Sequence, residues 1–159
     1  MEICPKLREF LESSGVRYEV IPHSPAYTAP EMAASVHVAG RNVVKCVMVT
    51  AGGRHCLVAA RANDRVSLER LREVLGAADV RFEREDEFGR LFDDCDVGAM
   101  HPFGNLYGVP VLADDDLYED GEIVFNGGNH TAAVKMSFKD FERLAKPTKA
   151  DVAGRAMAR

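Results

Sequence analysis

The sequence predicts an α+β domain with a curved mixed or antiparallel sheet, and three features carry that prediction. Helical periodicity comes only in short bursts, β-rich runs are joined by glycine-bearing turns, and the two kinds of segment interleave without the regular βαβ units of a parallel doubly wound sheet. The 159 residues fit one domain, residues 1–159. A domain of this size buries roughly 68–70% of its unfolded surface, enough for a core without cross-links.

Leu7, Phe10 and Leu11 recur at helical spacing and Gly15 follows as a stop, so residues 5–14 read as an amphipathic helix. Residues 16–21 form a short strand. Thr28, Pro30 and Glu31 make a capping box with proline in the first turn, opening a second helix through Met32, Ala33 and Val36. Residues 43–50 and 55–60 are β-rich and separated by AGGR, which predicts an antiparallel hairpin. Ser67 caps a third helix with Leu68, Leu71 and Leu75 as its buried stripe and Gly76 at its end. A strand at 80–82 and a helical turn around Phe88, Leu91 and Phe92 follow. The second half holds a loop at 98–104 (GAMHPFG), strands at 109–113, 122–126 and 131–136, and a closing helix capped by Ser137. Residues 146–159 are small and basic and are expected to fray.

The formal net charge of −5 argues against a polyanionic partner until its distribution is considered. Residues 83–96 carry seven acids and two bases and residues 114–122 six acids and no base, leaving 18 bases against 12 acids elsewhere. One face is thereby free to be positive, or the acidic stretches are solvated loops over a scattered remainder. Cys4, Cys46, Cys56 and Cys95 form no C-x-x-C pair, which suggests a reducing compartment. With no apolar stretch near the ~20 residues of a membrane span, the expectation is a cytoplasmic protein.

Lys45 stands alone in VVKCVMV, where an unpartnered buried ammonium costs several kcal/mol. An anionic ligand offsets that cost; so does a carboxylate from another element, or an edge position that lets the amine reach water. The 98–104 loop has glycine at each end and a proline within, the composition that brings backbone amides close to a ligand and can form an oxyanion hole. Asn129 and His130 end a glycine-bearing turn at the mouth of a strand pair, where a histidine serves for hydrogen bonding or proton transfer. There is no G-x-S-x-G elbow, Walker loop or dinucleotide fingerprint. His23, His37, His55, His101 and His130 lack paired ligand spacing, so no metal is expected. Cys46 and Cys56 read as core, and the acids flanking Cys95 raise its thiol pKa.

A strand lysine (Lys45), a G-x-x-x-P loop running on to Phe103 and Gly104, and a glycine-rich turn ending in His130 stand in one order along the chain, and that order resembles the YbaK / prolyl-tRNA editing-domain family. The similarity also takes in HSPAYTA from His23, the Ala33 pair, the RNVVK segment ending at Lys45, and Phe125 with Asn126. The resemblance implies a six- to seven-stranded curved sheet wrapped by helices, and a pocket for the 3′ aminoacyl-adenosine end of tRNA. It further implies ester hydrolysis without metal or cofactor. On it, Lys45 is the lysine essential for deacylation, Gly98 and Pro102 hold the scissile ester, and His130 is catalytic or lines the pocket. Tyr27, Thr28, Met48, Ala60, Met100, His101, Phe103, Gly104, Gly128 and Asn129 are the expected substrate-binding residues.

The activity so implied is trans-editing of mischarged tRNA, with alanine or cysteine on tRNA for proline the first pairs to assay and a synthetase a further partner. Two rivals stand beside it: a non-catalytic module that binds charged tRNA or a synthetase, and a protein that hydrolyses another small ester or binds an anionic metabolite. The intact Lys45 and the full 98–102 loop favour catalysis.

Overall fold

In the computed structural model, which describes residues 2–26, 29–36, 42–96 and 98–154, the chain opens with helix α1 (Pro5–Ser14). Proline is tolerated at its first position because the amide there has no intrahelical partner, and Gly15 ends it in the left-handed conformation at φ 71°. Strand β1 (Glu19–Pro22), helix α2 (Ala29–Val36) and the hairpin of β2 (Val44–Ala51) and β3 (Arg54–Arg61) follow. Next come β4 (Arg65–Val66), α3 (Leu68–Leu75), β5 (Val80–Phe82), the single-turn α4 (Glu85–Phe88) and β6 (Val111–Asp114). The chain continues through β7 (Glu122–Asn126), β8 (Ala132–Ser137), α5 (Phe138–Ala145), β9 (Thr148–Ala150) and β10 (Ala153–Gly154). Ser67 and Ser137 cap α3 and α5 as their positions suggest, accepting from Arg70 N–H at 3.2 Å and Asp140 N–H at 3.0 Å. Thr28, the expected cap of α2, lies outside the described residues.

The α+β class holds, and the strands divide between two principal sheets. A five-stranded mixed sheet has the order β5-β2-β3-β6-β9, and a three-stranded antiparallel sheet the order β1-β8-β7. A parallel bridge between Val43 and Val124 joins them. Side chains alternate across β2 and β3, and both faces of the larger sheet are covered. Val44, Met48, Leu57 and Ala59 enter a core with Leu7, Leu11, Phe103, Phe125 and Phe141, while Val49 and Val58 pack with Leu71, Leu112 and Val152. Two buried faces explain why these strands read as continuous apolar runs.

The tail departs from expectation. Residues 148–150 add to the large sheet as β9, parallel to β6, and residues 153–154 pair with β4 as β10. The anchor is Asp114, fully buried, whose Oδ1 accepts the N–H groups of Val152 and Ala153 at 3.0 Å each. A short, small-residue segment carries little periodicity, so a partner supplied by a distant carboxylate leaves no mark on the local sequence. Residues 155–159 lie outside the described residues. Asp114→Ala is expected to cost about 2 kcal/mol by stranding two buried amides and to expose the 148–154 segment to limited proteolysis, which urea titration and peptide mapping will check.

The acidic stretches are likewise only partly solvated. Arg61 donates to Asp120 Oδ1 and to the Asp116 carbonyl, both at 2.9 Å. The Glu83 carboxylate, fully buried, accepts from Thr50 at 2.8 Å and lies 2.7 Å from the His55 ring.

Candidate active site

A cavity opens where the two sheets part company. On one edge of β2, β5 pairs with residues 49–51 and Val43 bridges to β7, and among the described residues no strand pairs with residues 45–47 on that edge. The space between holds a cavity of about 530 Å³. Lys45 and Cys46 of β2, Gly98 and Met100 of the loop, Glu85 and Phe88 of α4, Pro30, Ala62 and Asn126 line it. Glu83 N–H donates to the Met48 carbonyl at 2.9 Å, extending the β5 pairing and delivering α4 to the cavity wall. The Cys46 thiol donates to the Met100 carbonyl at 3.4 Å and holds the loop on the strand. A second cavity of about 380 Å³, over β1 and β8, contains neither Lys45 nor the loop.

Lys45 is half-buried, and its ammonium donates to the backbone carbonyl of Asp64. Burial holds its pKa below the ordinary 10.5, and the Asp64 carboxylate opposes that shift by favouring the charged form. A partly dehydrated ammonium acts on nearby negative charge more strongly than one in bulk water. Gly98 stands across the cavity at φ 84°. A Cβ there would meet Glu85 Oε2 at 3.4 Å and His130 Cε1 at 3.7 Å, so the glycine permits both the left-handed bend and the close approach of those two side chains. The His130 ring nitrogen Nδ1 lies 3.1 Å from the Ala26 carbonyl, an acceptor only. It therefore donates.

Lys45, Gly98 and Met100 therefore share one cavity, and His130 adjoins Gly98. Other expected site residues have structural work instead. Pro102 is buried and does not line the cavity. Phe103 is fully buried, stacked edge-on against Phe10, Phe125 and Phe141. Gly104 is where a Cβ would strike the Val109 carbonyl at 2.7 Å. Met48 and Ala60 are core residues, Ala60 opposite Lys45 in the hairpin. His101 is fully buried and bonded to Tyr107. Gly128 packs on Cys4, and Asn129 donates to the Glu2 carbonyl at 2.8 Å while accepting from Thr131 N–H at 3.0 Å. Tyr27 and Thr28 lie outside the described residues.

Glu85, Phe88 and Asn126 are lining residues that sequence reasoning left out. Glu85 was hidden in an acidic stretch, and Cys46 in an apolar run. Asn126 is the most legible of them in retrospect: a polar amide ending an apolar strand next to a glycine turn, with Oδ1 buried and unpartnered among the described residues. Beside the histidines, which carry no paired ligand spacing, the fold brings the ligand atoms of Cys4, Cys95 and His101, and those of Asp64, Asp114 and Asp116, within 4.8 Å of one another.

Residues 23–144 match the aminoacyl-tRNA editing domain family. With a match over most of its length the chain belongs to that family, whose class of activity is the deacylation of wrongly charged tRNA. Among its relatives, the prolyl-tRNA editing protein ProX of Acetoanaerobium sticklandii is 27% identical over 142 residues, 86% of either chain. Two solved structures share the fold. The hypothetical protein APE2540 superposes with a TM-score of 0.85 at 22% identity, covering 94% of this chain and 100% of its own. A protein described as a candidate trans-editing enzyme for prolyl-tRNA synthetase superposes with a TM-score of 0.83 at 22% identity, covering 94% and 95%. Among the described residues no helix is long and apolar enough to cross a membrane.

Proposed function

We propose that this protein acts in trans on mischarged tRNA in the cytoplasm, that its cavity receives the 3′ aminoacyl-adenosine, and that alanine or cysteine on tRNA for proline is its substrate. The observation that carries the reading is the meeting of Lys45 and Gly98, 53 positions apart in the chain, in one cavity of about 530 Å³.

The chemistry asks little of the protein. An aminoacyl ester is an activated acyl group, so hydrolysis needs an oriented water and stabilisation of the oxyanion that forms on the carbonyl oxygen. Lys45 supplies a fixed positive charge at the cavity, and the backbone at Gly98 forms the facing wall. The substrate's own ribose hydroxyl, adjacent to the ester, is the group that activates the water. Glu85 and Asn126, both on the lining, face the free α-ammonium of the amino acid, and the remaining volume selects the side chain. Such a pocket separates acids that differ by one methylene by only about 1–3 kcal/mol.

The deciding experiment is a panel of mischarged tRNAs assayed for time-resolved loss of the amino acid. Rapid release from alanyl- or cysteinyl-tRNA for proline, with correctly charged prolyl-tRNA spared, is the expected result. Tight binding of charged tRNA without turnover would establish a non-catalytic module instead, and turnover of a small ester with every tRNA intact would remove the editing assignment.

A further inference from the structure

Cys4 and Cys95 are 91 residues apart in sequence, yet their sulfurs lie 3.7 Å apart. They meet where three segments of the site's framework converge. Cys4 precedes α1, and its N–H donates to the Gly127 carbonyl at 2.8 Å. A Cβ on Gly128 would come within 2.6 Å of the Cys4 sulfur. Asp96, next to Cys95, donates its N–H to the Gly128 carbonyl at 2.7 Å. The loop that carries Cys95 runs on to Gly98, and the 127–130 turn runs on to His130, so the thiol pair braces both walls on which these residues sit.

The two thiols differ in character. The Cys95 S–H, its sulfur 3.7 Å away, hydrogen-bonds the Cys4 sulfur, outweighs its burial, and holds its pKa well below the ordinary 9. Cys95 is pushed the other way, by its bond to Cys4 and by burial, with Tyr107 O–H 3.6 Å from its sulfur. One sulfur is thus poised as a thiolate nucleophile and its neighbour as a resolving thiol. A metal ion is the obvious rival for two cysteines and a histidine, but the His101 tautomer opposes it. Phe103 N–H donates to Nδ1 at 3.2 Å, which places the ring proton on Nε2, facing Tyr107 at 2.9 Å. Ligation through Nε2 would move that proton onto Nδ1, against the Phe103 N–H.

We propose that Cys4 and Cys95 form a hydroperoxide-driven, reversible disulfide that clamps the N-terminal segment to the Gly98 loop and restrains the cavity. The Cys4 thiolate attacks the terminal oxygen of the hydroperoxide; an S–O bond forms, the O–O bond breaks, and hydroxide leaves to take up a proton as water. The Cys95 sulfur then attacks the Cys4 sulfenic acid, forming S–S as S–O breaks, and its proton leaves with the hydroxyl as a second water. Two thiols are oxidised and one hydrogen peroxide is reduced to two waters. Thiols are restored by a dithiol reductant.

The effect on turnover rests on the deacylase reading, whereas the cross-link does not, and the experiment separates them. Full-length reduced protein is treated with hydrogen peroxide, its thiols are counted, and disulfides are located by non-reducing peptide mapping. Deacylation is timed before and after dithiothreitol. The expected outcome is loss of two of the four free thiols, a single Cys4 to Cys95 cross-link, a raised Tm, and turnover slowed at least about tenfold and recovered on reduction. Cys95→Ser keeps its basal rate, stops at a Cys4 sulfenic acid that dimedone traps, and no longer responds to peroxide. Survival of all four thiols, pairing through Cys46 or Cys56, a cross-link that leaves turnover unchanged, or one zinc retained by both thiols overturns the proposal. Protein that deacylates no tRNA even when reduced refutes the deacylase reading alone, because the cross-link and the Tm still decide the thiol pair.

Discussion

Replacing Lys45 with alanine lowers kcat for deacylation of mischarged tRNA by about 10²- to 10³-fold, the loss expected when one stabilising group is withdrawn from an oxyanion, or about 2.7–4 kcal/mol. The fold survives the change. Lys45 is half-buried, its amine donates among the described residues to the Asp64 backbone carbonyl, and burial already disfavours its charge. Removing the ammonium therefore relieves a desolvation cost at the same time as it removes a bond. Lys45→Met, which keeps the apolar stem against Ala60 across the hairpin, separates the two roles: its Tm equals or exceeds the parent's while turnover falls as far as in the alanine variant. The measurement is single-turnover release of labelled amino acid beside a thermal melt. A folded Lys45→Ala protein that turns over within threefold of the parent would remove the lysine from the mechanism.

Gly128→Ala destabilises the protein by about 3 kcal/mol, through two costs that act together. The residue sits at φ 99°, a conformation that disfavours any side chain, and an added Cβ would lie 2.6 Å from both Cβ and Sγ of Cys4. Cys4 cannot step aside freely, because its N–H is bonded to Gly127 and α1 begins at the next residue. For a domain of this size the shift is about 6–12 °C in Tm. Cys4→Gly in the same chain recovers part of the loss by removing the struck atoms, and the double-mutant cycle reads the coupling directly. Strict additivity of the two changes would show that Cys4 is not what Gly128 makes room for.

How legible the site was depends on what kind of signal each residue leaves. Lys45 announced itself, since a charge in an oily strand violates the pattern around it and calls for a reason. Gly98 was visible because a loop with paired glycines and a proline is built for backbone geometry. His101, in the same loop, carried an equal chemical promise and is instead sealed in the core by Phe103 and Tyr107. Side-chain direction within a turn is not encoded by the residue's type. Gly104, Gly128 and Asn129 hold turns and the N-terminal segment in place, and their sequence signature is the same as that of ligand-contacting glycines and amides.

The sequence by itself determined the α+β class, the hairpin of β2 and β3, the serine caps of α3 and α5, and the oddity of Lys45, because each rests on periodicity or chemistry within a few neighbouring residues. Tertiary structure decided everything that needs two distant segments to meet. The parting of β5 and β7 from β2 made the cavity, and α4 set the exposed Glu85 at its wall. Asp114 drew the basic tail into the sheet, and the convergence of three segments set Cys4 beside Cys95. Such contacts follow from how whole elements pack, and a side chain's local sequence carries no record of the partner that packing brings to it.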